Sequence, residues 1–391
     1  MTRAWSRPGG RTSRLPADLL DRVGTAAQAE QWFPDLRTPL RVEVVLVQER
    51  RRCVLHRLRL SDGRDARDVL LKERRAGGLN TTSGTARPSS APVLGLTERE
   101  HARLEFAGLQ RAAAALAPDP APAAQLRVVR PLLLLEEHAA LVMDHVPWPT
   151  LDDRLAAAHR AGRSRDVRSL PGVGTAAGQW LRRLHATDPV PAERCRLHTG
   201  ADVARLVGDL GAHLARVKGD RALFARVRAA SRVLETALPK DLPITTLHGD
   251  FAPRNVLVSP SGGVAVIDAM PTWQAPVHED VARMIAGLRL MRLQLFSGGL
   301  GAAAAALDGF ESAFRRAYYG DDGPRLELSA FLLLVVLDRW AAQVLFVNRV
   351  AHRAPRAAAS WLDRAVVLEV RRQLDLVEQA TAARPARRSC R

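Results

Sequence analysis

The chain is poor in cysteine: Cys53, Cys195 and Cys390 are scattered, odd in number and without C-x-x-C spacing. That excludes a disulfide framework and a zinc site of the usual spacing, and a reducing, cytoplasmic setting is expected. Aromatic residues make up only 5%, too few to interleave stacking platforms with the basic residues, so no specific nucleic-acid partner is expected. Long hydrophobic runs are also scarce. The basic N-terminus, with Arg3, Arg7, Arg11 and Arg14, is not followed by the apolar segment a signal peptide needs. The most apolar stretch, Leu328 to Val347, is interrupted by Asp338 and Arg339, which suits a helix buried in a soluble lobe better than a transmembrane span. No internal repeat is visible.

What is present is ordinary in kind and unusual in charge. The 391 residues, 47% hydrophobic and 25% charged, suffice for two lobes with separate cores. Lys and Arg number 58 against 41 Asp and Glu, a net charge of +17 that raises the local concentration of anions such as nucleotides. Residues 1–16 and 382–391 are expected to be disordered basic tails. Between them, residues 17–147 are expected to form a small lobe built on a sheet, and residues 148–381 a mostly helical lobe.

In the first lobe, Asp18 to Phe33 can form a short helix. Three apolar runs follow, Val42 to Val47, Val54 to Leu60 and Val69 to Lys72, joined by polar turns at Gln48 to Arg52 and Ser61 to Gly63. They read as three strands of an antiparallel sheet, the third ending on a lysine. Ala76 to Leu96, rich in Gly, Ser, Thr and Pro, reads as a loop. Thr97 is placed to cap a helix running to about Leu116, with Glu98 and Glu100 in its first turns and Glu105 near its middle. Leu126 to Val129, Pro131 to Leu135 and Ala139 to Pro147 are further apolar runs, the last leaving the sheet at two prolines. Beyond Thr150 helices are expected over Val173 to Thr187, Ala201 to Val217 and Arg221 to Leu238, and from about Glu279, Leu307, Leu326 and Trp361. The segment Pro271 to His278 reads as irregular.

The chemistry concentrates in His248-Gly249-Asp250-Phe251-Ala252-Pro253-Arg254-Asn255, followed by Val266-Ile267-Asp268. A polar loop and a short buried strand bring two carboxylates and a carboxamide to one place. An Asp can accept a proton from an alcohol, an Asn oxygen can ligate a hard divalent cation, and a second Asp can bridge that cation to phosphates. Gly249 suits the turn itself.

These residues resemble the catalytic loop and metal-binding Asp of the aminoglycoside phosphotransferase and choline kinase group, relatives of the protein kinases. The resemblance covers most of residues 40 to 320. Leu141-Val142-Met143-Asp144 with Thr150-Leu151 resembles the strand that carries adenine between the lobes. Trp180 to His185 resembles the helix that precedes the catalytic loop, and Glu279-Asp280-Val281-Ala282 the start of the helix that follows the metal Asp. The resemblance implies an α+β, bilobal protein-kinase-like fold with a small antiparallel N-lobe and a helical C-lobe. It implies ATP and Mg2+ as cofactors and a small-molecule hydroxyl as acceptor.

Residue by residue, the resemblance implies Asp250 as the catalytic base, with Asn255 and Asp268 as metal ligands. Lys72 would meet the nucleotide phosphates, and a helix carboxylate would steady it: Glu105 first, Glu98 or Glu100 otherwise. Met143, Asp144 and Val146 would line the nucleotide site, and Asp280 would steady the catalytic loop. Two departures stand out. The turn where kinases carry a glycine-rich phosphate cover, Gln48 to Arg52, has no glycine, and the aromatic-glycine pair usual after the metal Asp is Ala269-Met270. A nucleotide-binding scaffold without turnover is therefore the alternative, opposed by the intact set of Asp250, Asn255 and Asp268. The helical lobe is not markedly acidic, which points away from cationic aminoglycosides toward a neutral or anionic acceptor. Nothing in the sequence marks an oligomeric state.

Overall fold

The structure, a computed structural model, describes residues 15–50, 52–75, 96–117, 125–161, 169–188, 197–271, 273–295, 301–321, 323–350 and 356–382. The two expected tails and the loop from Ala76 lie almost wholly outside the described residues.

The alternating strands build the first lobe. β1 (Arg41–Glu49), β2 (Cys53–Ser61), β3 (Ala66–Arg74), β5 (Pro131–Leu135) and β6 (Ala140–Asp144) form one sheet in the order β1-β2-β3-β6-β5, every neighbouring pair antiparallel. Successive side chains on a strand point to opposite faces. Leu58, Leu60, Val69, Leu71 and Val142 therefore share one face, which α1 (Ala17–Ala29) covers with Leu19 and Val23, joined by Trp32. The register sets Leu55, Lys72 and Leu141 side by side on the other face, toward the cleft. α2 (Glu98–Leu116) starts where its local chemistry directs. Thr97 accepts the amide of Glu100, and the Glu100 carboxylate returns to the amide of Thr97, a reciprocal capping box.

The second lobe is helical around a small β frame. α3 (Leu151–Ala161) begins directly after Thr150. α4 (Leu170–His185), α5 (Gly200–Lys218) and α6 (Arg221–Ala237) follow, and α7 (His278–Leu295), α8 (Gly301–Tyr319), α9 (Arg325–Val350) and α10 (Arg356–Ala382) complete the lobe. α9 carries the most apolar segment, with Phe331 to Leu337 all buried. Among the described residues no helix is long and apolar enough to cross a membrane. β8 (Val256–Val258) and β9 (Val264–Val266) form an antiparallel hairpin, and β4 (Leu126–Arg127) pairs parallel with β9. Alternation divides the hairpin: Val256, Val258, Val264 and Val266 enter the helical core, while Leu257 and Ala265 turn to the cleft beside Met143 and Val146.

Two expectations are corrected. The segment Pro271 to His278 is not wholly irregular, because β10 (Gln274–Pro276) pairs with β7 (Ile244–Thr246); a three-residue strand has no periodicity to read and exists through its distant partner. α8 and α10 begin five or more residues before Leu307 and Trp361, within alanine-rich stretches of high helix propensity.

Candidate active site

The loop after β7 is held from below by one buried carboxylate. Asp280, in the first turn of α7 and 0% exposed, accepts the backbone N–H of His248 at 2.6 Å and that of Gly249 at 3.1 Å. It also accepts from Nε2 of His185 at 3.1 Å, and His185 Nδ1 takes the Tyr318 hydroxyl at 2.6 Å. Burial by itself would raise the Asp280 carboxyl. The His185 hydrogen bond and the charges around it outweigh burial and hold the group below its ordinary range. Gly249 has φ +84, and a Cβ there would stand 2.9 Å from the Met270 carbonyl oxygen, so both conformation and space call for glycine. His248 is structural: its Nδ1 accepts the Asp250 N–H at 3.3 Å and its Nε2 donates to the Ile267 carbonyl at 3.2 Å. Burial keeps its pKa below the usual value, and its ring packs among Trp180 and Phe251.

Asp250 and Asn255 face each other across the turn Pro253–Asn255. The Asn255 side-chain Nδ2 donates to the Asp250 carbonyl at 2.8 Å and to its carboxylate at 3.0 Å. This orientation, assigned from the hydrogen bonds, leaves Asn255 Oδ1 as a hard ligand with no donor among the described residues. The Arg254 guanidinium also donates to the Asp250 carboxylate. The β8–β9 hairpin then sets Asp268 beside this pair. Val256 lies opposite Val266, and the next position out joins the Ile267 N–H to the Asn255 carbonyl at 3.0 Å. Asp268 itself has φ +61, a left-handed conformation uncommon for a non-glycine residue and frequent at functional sites.

Lys72, only 4% exposed, reaches across the cleft to Asp268 and bonds Glu105 at 2.7 Å. Of the three candidate helix carboxylates Glu105 is thus its partner; Glu100 is spent on the α2 cap, and Glu98 lies two turns away. Burial opposes the charge on Lys72, yet Asp268 and Glu105 outweigh it and raise its pKa. Asp268 is held well below the carboxylate range, because Lys72 and Arg74 overcome the effect of burial. For Glu105, 0% exposed, burial dominates and pushes the carboxyl up.

Arg74 escaped the sequence reading. Its guanidinium takes the second oxygen of Glu105, so two cations and two carboxylates form one buried cluster. The signal was available: Arg74 is two residues beyond Lys72 on one strand and therefore on the same face. Arg111 was missed as well. It donates from α2 to the carbonyls of Thr246 at 2.7 Å and Leu184 at 3.1 Å, and to the Thr187 hydroxyl at 2.8 Å.

The residues expected to line the nucleotide site fall into two kinds. Met143 and Val146 are buried in an apolar cluster with Leu257, against which Leu70 packs. The Asp144 carboxylate turns outward to Arg130, at 2.9 and 3.0 Å. The two departures also acquire a physical form. After Asp268, α2 lies directly on the backbone, since a Cβ on Gly108 would stand 2.2 Å from the Ala269 carbonyl oxygen. At the glycine-free turn, the Arg50 N–H is committed to the Cys53 carbonyl at 2.8 Å, the Arg75 N–H closes on the Arg52 carbonyl at 3.0 Å, and the Arg50 side chain bonds Gln48 at 3.0 Å.

The donor set, one carboxylate and one carboxamide oxygen, suits a hard divalent ion. Among the described residues there is no cluster of three His, Cys, Asp or Glu that would form an all-protein metal site.

The sequence pattern defining the phosphotransferase enzyme family matches residues 60–328. A glucosamine kinase solved in complex with glucosamine, ADP and inorganic phosphate is similar in fold, at 17% identity and a TM-score of 0.55, over 95% of this chain and 89% of its own. Crystal form B of a glucosamine kinase aligns over 96% of this chain and 88% of its own, with 17% identity and a TM-score of 0.52. No curated protein matches the chain in sequence. With the family pattern spanning well over half its length, an α+β bilobal fold and a polar cleft between sheet and helices, the chain belongs to the phosphotransferase enzyme family, whose members move phosphoryl groups to small molecules.

Proposed function

We propose that the protein transfers the γ-phosphoryl group of ATP to a hydroxyl of a small neutral or anionic molecule, using residues 17–147 as the nucleotide lobe and 148–381 as the catalytic lobe. The observation that carries this reading is the convergence of Lys72, Asp268 and the loop that bears both Asp250 and Asn255 on one cleft from three separate segments. Phosphoryl transfer asks for positioning and charge neutralisation more than covalent chemistry, and these groups offer both.

Asp250 orients the acceptor hydroxyl and takes its proton as the oxygen attacks the γ-phosphorus. The bond between the γ-phosphorus and the oxygen bridging to the β-phosphate breaks, and ADP and a phosphate ester leave. Asn255 Oδ1 and Asp268 would hold Mg2+, which supplies charge neutralisation on the phosphate oxygens. Lys72, kept cationic by its carboxylate neighbours, exchanges Asp268 for the α- and β-phosphates while Glu105 retains it. Met143, Val146 and Leu257 offer the adenine an apolar slot, with the Asp144 and Val146 backbone at its edge.

Thermal unfolding with and without Mg-ATP tests the reading. A rise in melting temperature that Asp268→Ala abolishes is expected, and absence of any rise would sink it. ATP consumption is then followed across a panel of sugars, amino alcohols and hydroxy acids. Nucleotide binding with no turnover on any alcohol, and no Asp250-dependent ATP hydrolysis, would point to a scaffold instead.

A further inference from the structure

A second concave, strongly charged place lies outboard of the strand that joins the lobes. It is a recess of about 600 Å3 lined by arginines from four stretches of chain. β2 contributes Arg57 and Arg59, β3 contributes Arg67, β4 contributes Arg127, and Arg130 comes from the residue before β5. Only two carboxylates, Asp68 and Asp144, stand in its wall. Asp68 is shared between Arg57 at 2.7 Å and Arg59 at 3.0 Å, and Asp144 is taken by Arg130. Arg67 turns to Asp35 outside the wall. Counting Asp35, five guanidiniums face three carboxylates, and Arg127 lies over the Trp148 ring, 5.4 Å from its centre, rather than against an acid.

The recess is separate from the catalytic centre. Asp68 and Lys72 are four residues apart on one strand, about 13 Å along it, and the register sets Arg59 opposite Asp68 and Leu55 opposite Lys72. Arg59 and Arg67 therefore stand toward the far end of the sheet from Lys72, while Arg57, opposite Leu70, and Asp144 mark the side of the recess nearest the cleft. A solvated arginine-rich surface would spread its charges apart. Here guanidiniums from distant segments converge on one volume large enough for a small ligand. His145, also in the wall, has its pKa lowered by burial first and by the Arg57 charge second, as a locally positive potential requires. Guanidinium is the group best matched to phosphate oxygens, two N–H donors meeting two oxygens.

We propose that this recess binds a phosphorylated small molecule, its phosphate held by Arg57, Arg59, Arg127 and Arg130, at a site distinct from that of the phosphoryl donor. The proposal does not depend on the phosphotransferase reading.

Inorganic pyrophosphate and glucose 6-phosphate are titrated by calorimetry, with glucose as the uncharged control. Both anions should bind the wild-type protein and the Lys72→Met variant with similar affinity, and glucose should bind neither. The double variant Arg59→Ser/Arg127→Ser should lose at least tenfold in affinity for both anions. Binding of pyrophosphate alone would assign the site to free phosphates and overturn the organic ligand. Loss of binding in Lys72→Met would place the anion at the nucleotide phosphates and overturn the proposal, as would full affinity in the double variant or no binding at all. Should Lys72→Met fail to fold, Arg59→Glu in the otherwise native protein serves: anion affinity should drop tenfold with the Kd for Mg-ATP within twofold of wild type. Equal losses for both would overturn the site. Failure of Mg-ATP to bind any of these proteins would count against the phosphotransferase reading and leave this one standing.

Discussion

The two halves of the cleft are built to different standards of rigidity. The catalytic loop hangs from a buried chain of hydrogen bonds running from the backbone of His248 and Gly249 through Asp280 and His185 to Tyr318, and its rings stack into Trp180, Phe251 and Phe314. The turn between β1 and β2 is tied differently. It is closed by bonds within its own hairpin and to the adjoining strand end, and Arg50 and Arg52 are exposed. Around Asp250 and Asn255 the chain invests buried polar contacts; at the β1–β2 turn it leaves exposed arginines. Under the proposed function, preorganisation is thus concentrated on the acceptor side of the reaction, where electrostatic placement counts most.

That contrast can be broken at its strongest point first. Asp250→Asn should lower kcat by about 10²- to 10⁴-fold with Mg-ATP affinity unchanged, read by steady-state kinetics and calorimetry side by side; an equal loss of affinity would mean that Asp250 serves binding and not proton transfer. Asp280→Ala strands two backbone N–H groups and His185 in a buried place, for an expected cost of about 3–5 kcal/mol in urea unfolding. A loss below 1 kcal/mol would show the loop to be no better anchored than the turn.

Acid should loosen the anchored half. His278, at the start of α7, is buried and bonded to the Tyr319 hydroxyl at 2.8 Å, and burial lowers its pKa to about 4. Its folded pKa is depressed, so the unfolded chain binds more protons as pH falls below the ordinary histidine value. The stability it confers is full above about pH 6.5 and is lost progressively toward pH 4, about 2 kcal/mol between pH 7 and 5. His278→Gln should flatten that part of the profile, and an unaltered slope would shift the effect to other histidines. The smallest effect belongs to the turn: Arg50→Ala and Arg52→Ala should each change stability by less than about 0.5 kcal/mol and raise the KM for ATP only a few-fold. A large stability loss there would erase the difference between the halves.

How much of this was legible follows from how local each determinant is. The start of α2 was readable because its cap is written in four consecutive residues, Thr97 to Glu100. The candidate catalytic loop was readable because Asp250, Asn255 and Asp268 flank one short hairpin, β8–β9. Lys72, one of three lysines in the chain, drew its meaning only from partners 33 and 196 residues away. The contacts that escaped are those with no local trace. Asp280 reads alone as a helix cap and owed its loop-steadying role to the resemblance, but its relay through His185 to Tyr318 joins three helices and left no local trace. The β7–β10 pairing is long-range, and Arg74 and Arg111 looked like two among many surface arginines until the fold half-buried them beside their partners.

Helix α2 belongs to the first lobe by chain order, but its fastenings divide differently. Toward the helical lobe it is bolted by Arg111 to two carbonyls and a hydroxyl, and Gly108 lets it lie flush on the backbone behind Asp268. Toward its own sheet, the polar ties include the electrostatic clasp of Lys72 and Arg74 on Glu105 and the bonds of Arg103 to Glu136, between β5 and β6. α2 is therefore a shared beam: its apolar side, with Ala102 and Leu109, packs on Leu141 and Met143 of the sheet, while Arg111 ties its far end to the helical lobe, so the two lobes are joined through one helix as well as through the connecting strand.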